Sequence, residues 1–181
     1  MAIYGVFDST NMKSVHRGGN IFDAIATTDI ENGTFGYLGG VADGERVVYN
    51  FKPGVKAGKT IVVVDQPVWT EDECKTSNQR RDKFINEAGT KFRVREIAKN
   101  DKFGISAECV TADTVEKLDV GAYLTIDAAT GKLVAADATT PDSAMEAIVE
   151  YKDIVGGTIV TSAHNYGYSR TMFKARVEVL A

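Results

Sequence analysis

Residues 121–140 read GAYLTIDAATGKLVAADATT. Ala122, Leu124 and Ile126 alternate with Tyr123, Thr125 and Asp127, the period-two pattern of a half-buried strand. The step Asp127-Ala-Ala-Thr-Gly131 is a turn that ends on glycine, where a positive φ costs little. Residues 132–136 then return, so the stretch predicts a β-hairpin followed by a run of small residues. A hairpin of this kind builds scaffolding, and it directs the reading toward a protein whose function is its shape and surface.

Working outward, the neighbours are also β. Residues 60–64, TIVVV, form a short β-branched run that predicts a central strand. Residues 45–51, 91–97 and 104–110 read as further strands. Residues 144–154 read as a strand, although AMEAIVEY alone has helical character. Phe173, Ala175, Val177 and Val179 alternate with Lys174, Arg176 and Glu178, which predicts an edge-type or half-buried strand. One helix is expected near residues 71–88. Thr70 and Glu73 make a capping box, Cys74, Arg81, Phe84, Ile85 and Ala88 fall near one face, and Gly89 suits the position after the last turn.

Residues 1–45 differ from the rest. They are rich in glycine, contain no proline and hold only short apolar patches, with Tyr4, Phe7, Phe22, Phe35 and Tyr37 as punctuation. Residues 12–20, MKSVHRGGN, have no period. Such a segment reads as an arm that packs on something else. An N-terminal strand with loops on its own domain is the alternative. The expected fold is therefore mainly β with one principal helix (α+β). It is a compact barrel- or sandwich-like domain over residues 46–181, preceded by a Gly-rich N-terminal arm and loops over 1–45.

The 181 residues suffice for one domain with a real core, and 44% hydrophobic with 25% charged residues is a globular composition. A net charge of −4 argues against direct nucleic-acid binding and against an anionic membrane surface. Cys74 and Cys109 sit in unlike contexts and are expected to be free thiols. The start, MAIYGVFDST, lacks the pattern of a secretion signal, and no apolar run has the length of a membrane span.

A search for chemistry is unproductive. The run Gly54-Val-Lys-Ala-Gly58-Lys59-Thr60 is one residue too short between its glycines for a phosphate loop, and it leads into a strand where that loop needs a helix. His16 and His164 have no cysteine or carboxylate at ligand spacing, so no metal and no organic cofactor is expected. No nucleophile elbow is present. The expectation is a protein that is not an enzyme. Contact residues are then sought among the least core-like segments, which gives Tyr4, Phe7, Met12, Lys13 and Arg17 at the start, and His164, Tyr166, Tyr168 and Arg170 in TSAHNYGYSR. A loop with two partly buried tyrosines before the last strand is the plainer reading of that second segment. Trp69 reads first as a core contact at helix entry and second as an interface anchor.

The run VGAYLTIDAATGKLVAADATTPDSAMEAIVEYKDI, residues 120–154, resembles a pattern of small virion proteins of tailed phages. It is similar to head decoration, or cement, proteins and to β-rich domains of some capsid proteins. The resemblance covers roughly residues 90–155. The chain is larger than the smallest decoration proteins, and its expected capped helix is a departure from them. The resemblance implies a structural role at the capsid surface of a virion assembled in the bacterial cytoplasm. The implied partner is the major capsid protein of the shell, with self-association as a second contact. A tail-tube or head–tail joining subunit stands as an alternative. A carbohydrate-binding β module using Trp69, Tyr166 and Tyr168 is the alternative from another class.

Overall fold

The computed structural model describes residues 3–16, 18–68, 81–136, 145–152, 158–160, 169–171 and 174–180. The chain enters through strand β1 (Phe7–Asn11) and a single helical turn α1 (Lys13–His16). Five strands follow: β2 (Ile21–Ile25), β3 (Phe35–Val41), β4 (Val48–Pro53), β5 (Ile61–Val64) and β6 (Lys91–Glu96). They close into a barrel in the order β2-β4-β3-β5-β6. Only β2 and β4 run parallel, with Asp23 opposite Val48, and every other neighbour is antiparallel. Closure removes the free edges that would otherwise invite pairing with another chain.

The remainder forms β7 (Lys102–Ile105), helix α2 (Ala112–Val115), β8 (Tyr123–Ile126), β9 (Leu133–Ala136), β10 (Ala147–Lys152), β11 (Thr158–Val160), β12 (Ser169–Thr171) and β13 (Ala175–Val179). A fully antiparallel sheet has the order β1-β7-β13-β10-β8-β9. Strands β11 and β12 pair separately. The hairpin expected from residues 121–136 is present, with Leu124 opposite Ala135 and Ile126 opposite Leu133.

Two cores meet at β5. Val62 and Val64 point into the barrel with Phe51, Phe92 and Val94, whereas Val63 points out of it into the core beneath the sheet. The β-branched run therefore serves both cores by alternation alone. All three valines are fully buried, and each contributes roughly 1.5–3 kcal/mol. Three phenylalanines lock the joint: Phe7 from β1, Phe35 from the barrel and Phe103 from β7, with ring centroids 5.1–6.3 Å apart. The β8–β9 turn reaches the barrel as well. Phe35 donates its N–H to the Gly131 carbonyl at 2.8 Å, and the Gly54 N–H donates to the Phe35 carbonyl at 3.0 Å.

Four expectations change. Residues 1–45 are not an arm over the part described. β1 is paired with β7, β2 and β3 are barrel staves, and Val6, Phe7 and Met12 are buried. The helix expected near 71–88 does not continue to 88. Its cap at Thr70 and Glu73 lies outside the described residues, and Arg81–Lys83 make one 3-10 turn. Asn86 then bridges Ile30 through two backbone hydrogen bonds of 2.9 and 3.0 Å. That distant pairing outweighs the local helical spacing. Helices α1 and α2, four residues each, are the α-helices among the described residues. Residues 104–110 are a strand only to Ile105, because Ala107–Cys109 turn as a 3-10 segment that carries Cys109 inward. Finally, β13 is not an edge. It lies between β7 and β10, and its alternation marks one face on the core and one facing out.

Candidate functional site

Most polar side chains that sequence reasoning would inspect for chemistry are engaged in holding the fold. On the outer face of the sheet, Lys102 lies 2.9 Å from Glu150 and 3.4 Å from Glu178, while Arg176 lies 2.9 Å from the other Glu150 oxygen. The hydrogen bond from Lys102, and then that from Arg176, hold the Glu150 carboxyl below its usual range. The same Glu150 contact raises the Lys102 ammonium. An ionised carboxylate clamped between two cations is a cross-strand tie, not a general acid.

At the joint, Arg95 Nε donates to Asp65 Oδ2 at 2.5 Å, and Ser9 Oγ donates to the same oxygen at 2.6 Å. This pair is mostly buried and ties β1 to the barrel. The amides are spent in the same way. Asn86 Nδ2 donates to the Ile30 carbonyl and to Asn32 Oδ1, and Asn32 Nδ2 donates to the Gln66 carbonyl. Cys109 is a free, buried thiol whose burial pushes it up to about 11. It carries no thiolate at neutral pH and is not a nucleophile. Cys74 lies outside the described residues. No group of three or more His, Cys, Asp or Glu able to hold a metal occurs among the described residues.

The expected contact residues scatter. Phe7 and Met12 are fully buried, so they serve the core and offer nothing to a partner. Tyr4 is half-buried and donates its N–H to the Asp82 carbonyl. Lys13 is exposed, but its N–H is capped by Asp101 Oδ1 at 2.8 Å and its ammonium donates to the Lys99 carbonyl at 2.6 Å. Arg170 pairs through its backbone with Ile159 in the β11–β12 ribbon. Arg17, Trp69, His164, Tyr166 and Tyr168 lie outside the described residues.

Among the described residues, one surface left unspent lies at one end of the barrel. Two shallow hollows of ≈ 210 and ≈ 180 Å³ adjoin there and share Lys59 and Thr60. The first is floored by Phe22, Leu38 and Val62, and the second by Ile97, Met145 and Val179. Phe22 meets the Tyr49 ring edge-on at 5.8 Å, and Tyr49 is the cross-strand partner of Val41. Around this end Ile21, Val41 and Val47 are exposed, Val47 by 67%. Glu96 lines the first hollow with Lys59 but accepts from Asn20 Nδ2, and no carboxylate among the described residues pairs with Lys59. Sequence reasoning missed this furrow because its walls come from six separated segments. The one local signal is a lysine set directly before an apolar strand.

No protein-family model, no curated protein and no solved structure matches the chain.

Proposed function

We propose that this chain is a structural protein of a tailed-phage virion that binds the outside of the capsid shell and stabilises it. The observation that carries the reading is the run 120–154, which resembles phage head decoration proteins. Its described part folds as the adjoining strands β8, β9 and β10, a contiguous piece of one sheet. The spending of polar groups on packing supports a role exercised through contact. The net charge of −4 suits a position outside the shell better than one facing packaged DNA. The mechanism is many weak contacts multiplied over a lattice, each copy bridging neighbouring capsomers.

The test is co-sedimentation of the purified protein with undecorated phage heads. Saturable binding in a fixed ratio to the capsid protein is expected. Failure to bind heads, with formation of rings or tubes by the free protein, would replace decoration by a tail-tube or joining role. Retention on a glycan array without head binding would replace both by a carbohydrate-binding module.

A further inference from the structure

We infer that the Lys59 furrow is the receptor for a second copy of this chain, which inserts the knuckle between α2 and β8 that carries Val120. This rests on the surface alone and not on the shell-binding reading.

The furrow has an apolar floor, exposed valines beyond it, and two lysines, Lys59 and Lys99, against one carboxylate, Glu96, which accepts a hydrogen bond from Asn20 Nδ2 and pairs with neither lysine among the described residues. Its complement is present on the same molecule. Val120 is 66% exposed, unlike the buried Leu118 two residues earlier. Asp113 and Glu116 beside it are exposed, and no described cation pairs with either. Asp113 and Glu116 outnumber the single ammonium of Lys117, so the knuckle is net negative, and Lys59 and Lys99 outnumber Glu96 in the furrow, which is net positive.

The knuckle is also preorganised. Thr114 donates to the Thr111 carbonyl, Lys117 to that of Thr114, Ala122 to that of Asp119, and Gly121 to that of Val149 on β10. Leu118 anchors it in the core. A protrusion already fixed in shape loses little entropy on docking. Knuckle and furrow share no residue, so two copies can exchange knuckles reciprocally in a dimer, or copies can run head-to-tail into a ring where the rotation closes and a filament where it does not.

Sedimentation velocity of the purified protein without heads tests this. The parent should show association that rises with concentration and weakens with salt. Lys59→Glu and Glu116→Lys should each weaken it by about tenfold or more, and Val120→Asp should do the same by placing a charge on the apolar floor. All three positions are exposed, so the thermal midpoint should not move, which keeps a folding defect distinguishable. An equimolar mixture of Lys59→Glu and Glu116→Lys proteins should recover association, because the carboxylate introduced in one furrow then faces the ammonium introduced on the other knuckle, and the remaining furrow and knuckle are those of the parent. A parent that stays monomeric at high concentration, single variants that associate like the parent, or a mixture with no recovery would each overturn the proposal. Head co-sedimentation is read separately, so either idea can fail alone.

Discussion

The turn between β8 and β9 and the turn between β3 and β4 both place a glycine at positive φ, Gly131 at +70° and Gly44 at +74°. A side chain on Gly131 would put its Cβ 2.1 Å from the Phe35 carbonyl oxygen, whereas one on Gly44 would meet nothing within 4 Å. The first turn is pressed into the barrel, and Asp127 ties it internally by accepting from the Thr130 hydroxyl and from the N–H groups of Ala129 and Thr130. These bonds, that from the Thr130 hydroxyl first, hold the Asp127 carboxyl below its usual range. The second turn projects, with Val41 and Val47 exposed on its two flanks. Similar local chemistry thus builds the body in one place and offers surface in the other.

The largest effect should come from loading the docked turn. Gly131→Ala combines left-handed strain with backbone overlap and should cost roughly 3–5 kcal/mol in urea unfolding, against about 1 kcal/mol for Gly44→Ala. Equal losses would mean that the two turns are not differently packed. Truncating the joint itself, by Phe103→Ala, should cost about 3–5 kcal/mol. It should leave a single transition, because barrel and sheet share that core. Two separated transitions would show that the cores are independent.

The Cys109 thiol offers a pH probe of the same packed region. Its folded pKa of about 11 lies above the 9.0 of the exposed group. Between those values the unfolded chain loses its proton first, so stability should fall as pH rises through this window. Cys109→Ser should flatten that decline, and alkylation of Cys109, mapped by mass spectrometry, should require unfolding. A smaller effect is expected from Glu150. Its depressed carboxyl contributes above the ordinary Glu range and is lost as pH falls through its folded pKa. Because Glu150 is largely at the surface, Glu150→Gln should cost only about 0.5 kcal/mol at neutral pH. The smallest effect is expected at the projecting hairpin, where Val47→Ser should change stability by less than about 0.5 kcal/mol.

The comparison also explains which parts of the molecule were legible in the sequence. Alternation located β8, β9, β5 and β13, because each has a face that must be apolar. It could not assign β13 to the middle of a sheet, since its neighbours β7 and β10 lie 70 and 23 or more positions away by their registers. Residues 81–88 carried a helical stripe, yet Asn86 takes its partners from Ile30 and Asn32. Glycine content over residues 1–45 suggests an arm, although composition does not separate a glycine pressed into the body, such as Gly36 or Gly131, from a free one such as Gly44. The contact residues expected there were aromatic and basic for a different reason: Phe7 fills the joint, and Lys13 closes α1 onto the loop at Lys99 and Asp101. The furrow is an assembly of distant segments and becomes visible only once the barrel closes.

Amide hydrogen exchange on the purified protein measures the contrast between the two turns directly. The Gly131 amide, bonded to the Asp127 carbonyl at 2.9 Å, and that of Phe35, bonded to the Gly131 carbonyl, should exchange only with global unfolding. The amides of Asp43, Gly44, Arg46 and Val47 should exchange faster by orders of magnitude. Comparable protection at both turns, at a concentration where the protein is monomeric, would contradict the account, because the projecting hairpin would then already be packed within the monomer. Rapid exchange at Gly131 would contradict it from the other side, by showing that the β8–β9 turn does not hold barrel and sheet together.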